Sequence, residues 1–104
     1  MNEWSDAELD ELIAEASVDA YDEGEQLTGL YAMIEDNLAT PFEIKVLGVP
    51  VTVEHVEWTD ANHLVAACRG NGVRQAIGLL ELPLPSPPPE GAEWIAAYRR
   101  WARR

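Results

Sequence analysis

Pro41 divides the chain into two hydrophobic periods, and that division limits what it can fold into. Before it, apolar residues recur with helical spacing. Leu9, Leu12, Ile13, Ala16 and Ala20 fall on one face of a first helix, and Leu27, Leu30, Tyr31, Ile34 and Leu38 repeat the pattern in a second. Ser5-Asp6-Ala7-Glu8 is a capping box that starts the first helix near Ser5, with Trp4 and Leu9 at the spacing of a hydrophobic staple. The helical pattern breaks around Tyr21-Asp22-Glu23-Gly24 and resumes from about Glu23 to Leu38, where Pro41 stops it. Two antiparallel helices and one long bent helix both satisfy this spacing.

After Pro41 the period shortens to that of strands. Phe42–Val46 alternates, Gly48-Val49-Pro50 marks a turn, and 51–58 is rich in β-branched residues. Thr59-Asp60-Ala61-Asn62 reads as a turn, 64–69 as a strand, Asn71-Gly72 as a hairpin turn and 73–79 as a fourth strand. Pro83 to Pro89 reads as an extended polyproline spacer, with a PxxP ligand for a partner as the functional alternative. A last helix from about Glu90 has Trp94, Ile95, Tyr98 and Trp101 as its apolar face and arginines at its C-terminal end, where the helix dipole favours cations. The expectation is a single α+β domain over residues 1–104: N-terminal helices, a small antiparallel sheet of about four strands with an SH3-like curl as one way to close it, and a C-terminal helix.

Charge follows the same division. Residues 1–43 hold thirteen acidic side chains and no Lys or Arg, while 44–104 hold six acidic and seven basic ones, giving the net −12. Nucleic acid and anionic membrane are poor partners for such an N-terminal part; cations and basic proteins are good ones. No signal peptide or apolar span is evident and Cys68 is the single cysteine, so a cytoplasmic protein is expected.

Catalytic and transition-metal signatures are weak. His55, His63 and Cys68 lack the spacing of a zinc site, which leaves two partly exposed histidines and a buried strand cysteine. There is no GxSxG, and Gly70-Asn71-Gly72 is too short for a phosphate loop. No enzyme activity is expected.

The carboxylates form two clusters: Asp19, Asp22, Glu23 and Glu25 at the helix break, and Glu35-Asp36-Asn37 at the end of the second helix. Oxygen donors of this kind suit Ca2+. The first cluster is equally explained by solvation and by the helix dipole, which stabilises carboxylates at an N-terminus. The second sits at the end where the dipole disfavours anions by about a few tenths of a kcal/mol or more each, with no Lys or Arg nearby in sequence. A cation there would remove the penalty, and the exposed carbonyls of the helix end could add ligands. Glu25 and Asp36 are eleven residues apart, which puts them on one face but ~16 Å apart along a straight helix. Two sites, or recruitment of Glu43, Glu54 or Asp60, would be required. An EF-hand is excluded: with Asp19 at loop position 1, Tyr21 and Leu30 fall where ligands are needed.

The stretch 21–27, Tyr-Asp-Glu-Gly-Glu-Gln-Leu, with Met33-Ile34-Glu35-Asp36-Asn37-Leu38, Pro41-Phe42 and the closing Pro87-Pro88-Pro89-Glu90-Gly91-Ala92-Glu93-Trp94, resembles the cyanobacterial calcium-binding family CcbP. The resemblance covers most of the chain. It implies a small acidic bacterial protein of α+β fold that binds or buffers Ca2+ without an EF-hand. Glu35 and Asp36 match the acidic pair of the family motif, and Glu23 and Glu25 its earlier acidic positions. A second expectation stands beside it: an interaction module whose acidic helical face, small sheet or proline-rich segment docks a basic protein.

Overall fold

The computed structural model describes residues 4–103. These form three helices and four strands: α1 (Asp6–Ala16), α2 (Glu23–Asn37), β1 (Phe42–Val46), β2 (Val49–Trp58), β3 (Leu64–Gly70), β4 (Val73–Gly78) and α3 (Ala92–Arg103). The fold is α+β. It divides into two units, a helical one made of the chain up to Leu38 and from Glu90 onward, and a sheet unit, Ala39–Pro89.

In the helical unit, α1 begins at the anticipated capping box. Ser5 Oγ accepts from the Glu8 amide at 3.1 Å, and Glu8 Oε1 accepts from the Ser5 amide at 3.2 Å, so two orphan donors of the first turn are satisfied reciprocally. Leu9 and Ile13 are buried. The helix ends at Ala16, capped by Ser17, so Ala20 is not part of its face, and the two-helix alternative is the one adopted. α2 begins on Asp22, whose carboxylate accepts from the Glu25 amide at 2.9 Å. Leu27, Leu30 and Ile34 form its buried stripe. Gly29 allows α1 and α2 to approach: a Cβ there would collide with the Ala16 carbonyl. α3 begins two residues later than the sequence suggests, at Ala92, after Gly91 with φ +87°. It buries Trp94, Ile95 and Tyr98, with Trp101 half-buried. The Trp101 indole donates to Gln26 Oε1 at 2.8 Å, tying α3 to α2.

The sheet unit is an antiparallel meander in the order β1-β2-β3-β4. β1 and β4 are its two edges, so it remains open and the SH3-like closure is not formed. Two hairpins turn on two residues with positive φ, Leu47-Gly48 (51° and 80°) and Asn71-Gly72 (52° and 75°), the signs of type I′ turns. The first turn therefore precedes the expected one, and Val49 and Pro50 belong to β2 rather than to the turn. Pro50 is tolerated because pairing of β2 with β3 starts only at Thr52. β2 also carries a register shift between Val53 and His55. An extra residue reverses the alternation of faces, so the buried set runs Val51, Val53 and then Val56. β3 contributes Leu64, Ala66 and Cys68 to the buried set, and most of β4 is exposed. Pro83, Leu84 and Pro85 line one shallow cavity with Glu43, Ile44 and Lys45 of β1, so the proline segment runs beside that strand.

Candidate functional site: the carboxylates of α2

Glu23, Glu25, Glu35 and Asp36 all lie on α2, and all are exposed. Because α2 is one uninterrupted helix, the two pairs stand at its opposite ends, ~16 Å apart along the axis for Glu25 and Asp36. The structure does not bring them together. Nor do three His, Cys, Asp or Glu side chains gather into a metal-holding group among the described residues.

The N-terminal pair has a structural account. Asp22 is the N-cap, and Glu23 and Glu25 fill the first turn, where the main-chain amides and the helix dipole stabilise negative charge. Sequence spacing placed Asp22 among potential ion ligands; its own S/T/D/N-type position just before a helical stripe is the signal that identifies it as a cap.

The C-terminal pair differs. The last turn of α2 holds Glu35 and Asp36 and no basic side chain. Glu35 Oε2 accepts from the Tyr31 hydroxyl one turn earlier at 3.0 Å, which orients that carboxylate. Asn37 Nδ2 donates back to the Met33 carbonyl at 2.8 Å, and the Leu38 amide closes on the Ile34 carbonyl at 2.9 Å. The carbonyls of Glu35 and Asp36 therefore lie beyond the last of these bonds. The donor set at this helix end is all oxygen: two carboxylates and main-chain carbonyls. That chemistry suits a hard cation and not a thiophilic or imidazole-seeking metal. Two carboxylates are few for Ca2+, which takes six to eight oxygens, so water would have to complete the shell.

His55 and His63 are exposed, as expected, and His55 Nε2 lies 3.2 Å from Glu57. Cys68 is buried, 1% exposed, and burial, reinforced by the charge of Glu54, raises its thiol above the ordinary value of 9.0. A buried neutral thiol is a poor nucleophile. One of the arginines at the end of α3 makes a specific contact: Arg100 Nε and Nη2 donate to the two carboxylate oxygens of Asp10 at 2.8 and 3.2 Å, and Nη1 lies 3.3 Å from Asp6. The hydrogen bonds that Arg100 donates to Asp10 raise its pKa further. Nothing in the local spacing announces this pairing, since Asp10 and Arg100 are ninety residues apart.

Searches against protein-family models, curated proteins and solved structures return no match.

Proposed function

We propose that this chain binds Ca2+ without an EF-hand, through Glu35 and Asp36 at the C-terminal end of α2. The observation that carries the reading is electrostatic. Two exposed carboxylates occupy the last turn of a helix, where the dipole disfavours them, and no basic side chain in that turn offsets their charge. A divalent cation would neutralise both carboxylates and the negative helix end at once. The resemblance of 33–38 to the CcbP acidic motif supports the same positions. With two protein carboxylates and the rest of the shell from main chain and water, affinity falls at the weak end for calcium modules, on the order of 10⁻⁴–10⁻³ M.

Titration of the full chain with CaCl2 at constant ionic strength, followed by amide NMR, tests this. Saturable shifts centred on 33–38 are expected, with about tenfold weaker binding in Asp36→Asn and a few-fold loss in Tyr31→Phe, which frees Glu35. Ca2+ should also raise the melting temperature relative to chelator, since it binds the folded state alone. If no resonance moves at millimolar Ca2+, or Asp36→Asn titrates like the parent, the site is not there.

A second reading is favoured by a different observation: Glu8, Glu11 and Glu15 on α1 and Glu23 and Glu25 on α2 are all exposed. These carboxylates would dock a basic protein. Capture that salt abolishes and chelator leaves untouched would identify it.

A further inference from the structure

The two edges of the sheet are protected unequally. The proline segment runs beside β1, and Glu43 and Lys45 place charges along that strand, both devices that keep another strand from pairing with an edge. β4 has no proline, a single charged residue, Arg74, and four successive exposed residues starting at Val73, itself 62% exposed. Its register fixes which main-chain groups face outward. The Leu79 amide donates to the Leu64 carbonyl at 3.0 Å, and bonded and non-bonded pairs alternate along an antiparallel ladder. Val73, Gln75 and Ile77 therefore bond to β3, while the main-chain groups of Arg74, Ala76 and Gly78 point away from it. Of these, the Gly78 carbonyl is taken by the Glu81 amide at 3.0 Å.

Charge identifies what fits this edge. Arg74 stands directly opposite Arg69, a destabilising juxtaposition, and the nearby carboxylate of Glu54, at 3.4 Å, serves Arg69. Neither Arg74 nor Glu81 has an ion-pair partner among the described residues. The Glu81 carboxylate lies at the far end of β4, 3.3 Å from where a Cβ on Gly78 would stand, and that position is on the same face of the strand as Arg74. We propose that β4 pairs antiparallel with β4 of a second copy about a two-fold axis at Ala76, Arg74 of each chain meeting Glu81 of the other. Each Arg74 then faces Gly78 of the second copy, ~5.5 Å away between Cα atoms, and the symmetry makes the ion pair twice. An axis at Arg74 would instead set two arginines opposite each other. The contact is a single strand pair, well below the ~1,600 Å² of a standard interface, so a dissociation constant on the order of 10⁻⁴–10⁻³ M is expected.

Sedimentation equilibrium and amide NMR of the full chain, taken to millimolar concentration, test this at about 0.15 M salt, where the long-range repulsion between two chains of net charge −12 is largely screened. Monomer–dimer behaviour is expected, with concentration-dependent shifts centred on the amides of Arg74, Ala76 and Gly78. Arg74→Glu and Glu81→Arg should each weaken association about tenfold, since each replaces two opposite-charge contacts by two like-charge ones. The double variant, Arg74→Glu with Glu81→Arg, should return to within about threefold of the parent, because it restores both pairs with their signs exchanged. Arg74→Glu raises the net negative charge and Glu81→Arg lowers it, so losses in both that the double variant repairs cannot come from overall repulsion. Ala76→Pro removes an amide that does not serve β3, a position where an edge strand tolerates proline, and should abolish the dimer. The proposal is overturned if the chain stays monomeric at millimolar concentration, which would leave the edge to a foreign strand. It is equally overturned if the shifts lie outside 73–81, if either single charge variant, shown folded by its amide spectrum, associates like the parent, or if the double variant stays as weak as the singles. The shifts expected at 73–81 are separable from the Ca2+ titration read at 33–38.

Discussion

The helical unit carries fourteen acidic and four basic side chains, the sheet unit five and three. The difference extends to how each unit ends its elements. Helices leave unpaired amides and carbonyls at both ends, and in the helical unit side chains meet them: Ser5 and Glu8 at α1, Asp22 at the start of α2, Asn37 at its end. In the sheet unit the two-residue hairpins Leu47-Gly48 and Asn71-Gly72 turn on positive φ without a charged group, and the turn between β2 and β3 is closed by main-chain bonds together with the neutral Thr59 hydroxyl, which accepts from the His63 amide. Asp6 and Glu8 of α1, Glu23 and Glu25 of α2 and Arg100 and Arg103 of α3 lie where the helix dipole favours their sign, whereas Glu35 and Asp36, like Glu15 in the last turn of α1, lie where it favours the opposite one.

The same backbone feature has different consequences in the two units, and glycine substitutions test this most severely. Gly91 and Gly72 both have positive φ, but a Cβ on Gly91 would meet the Asn37 carbonyl and Leu38, whereas one on Gly72 meets open space. Gly91→Ala should cost about 3 kcal/mol or more, backbone strain plus overpacking. Gly72→Ala should cost only the backbone part, about 1–2 kcal/mol. Urea denaturation of the two variants decides it, and equal losses would mean that the close approach at Gly91 does not operate.

Caps come next. Asp22→Ala and Ser5→Ala should each lower stability by about 1 kcal/mol, while Asn71→Gly at the hairpin should change it by less than about 0.5 kcal/mol, both residues being at ease with positive φ. A larger loss at Asn71 than at Asp22 would reverse the contrast between side-chain and main-chain terminations.

The smallest effect separates the units by pH. Cys68 is protonated in the fold beyond the point where the unfolded chain releases its proton, because burial raises its pKa. Above about 9.0 the unfolded state binds fewer protons than the folded one, so stability is full below that pH and declines as pH rises toward the folded value. Cys68→Val should lack this component. Stability curves of parent and variant that run parallel from pH 8 to 10 would show the thiol to be uncoupled from folding.

Much of the architecture is legible in local patterns. Periodicity before and after Pro41 distinguishes helix from strand, the capping box starts α1, and Asn71-Gly72 marks a hairpin, because each depends on neighbours within a few residues. The first hairpin is displaced in the local pattern, because Pro50 has the character of a turn residue while the turn needs only positive φ at Leu47 and Gly48. The bulge after Val53 leaves no trace in a run of β-branched residues, as it exists only in relation to β3.

For the site, the sequence by itself determined which carboxylates share α2 and that Glu35 and Asp36 face an unfavourable dipole, because helix geometry turns residue number directly into position and sign. Only the tertiary structure decided that Arg100 meets Asp10 across ninety residues beside an arginine-lined cavity, and that the Trp101 indole of α3 reaches Gln26 of α2. Those outcomes depend on which helix faces are buried together, and the free energy of that burial is shared among residues distant in the chain, where no local spacing records it.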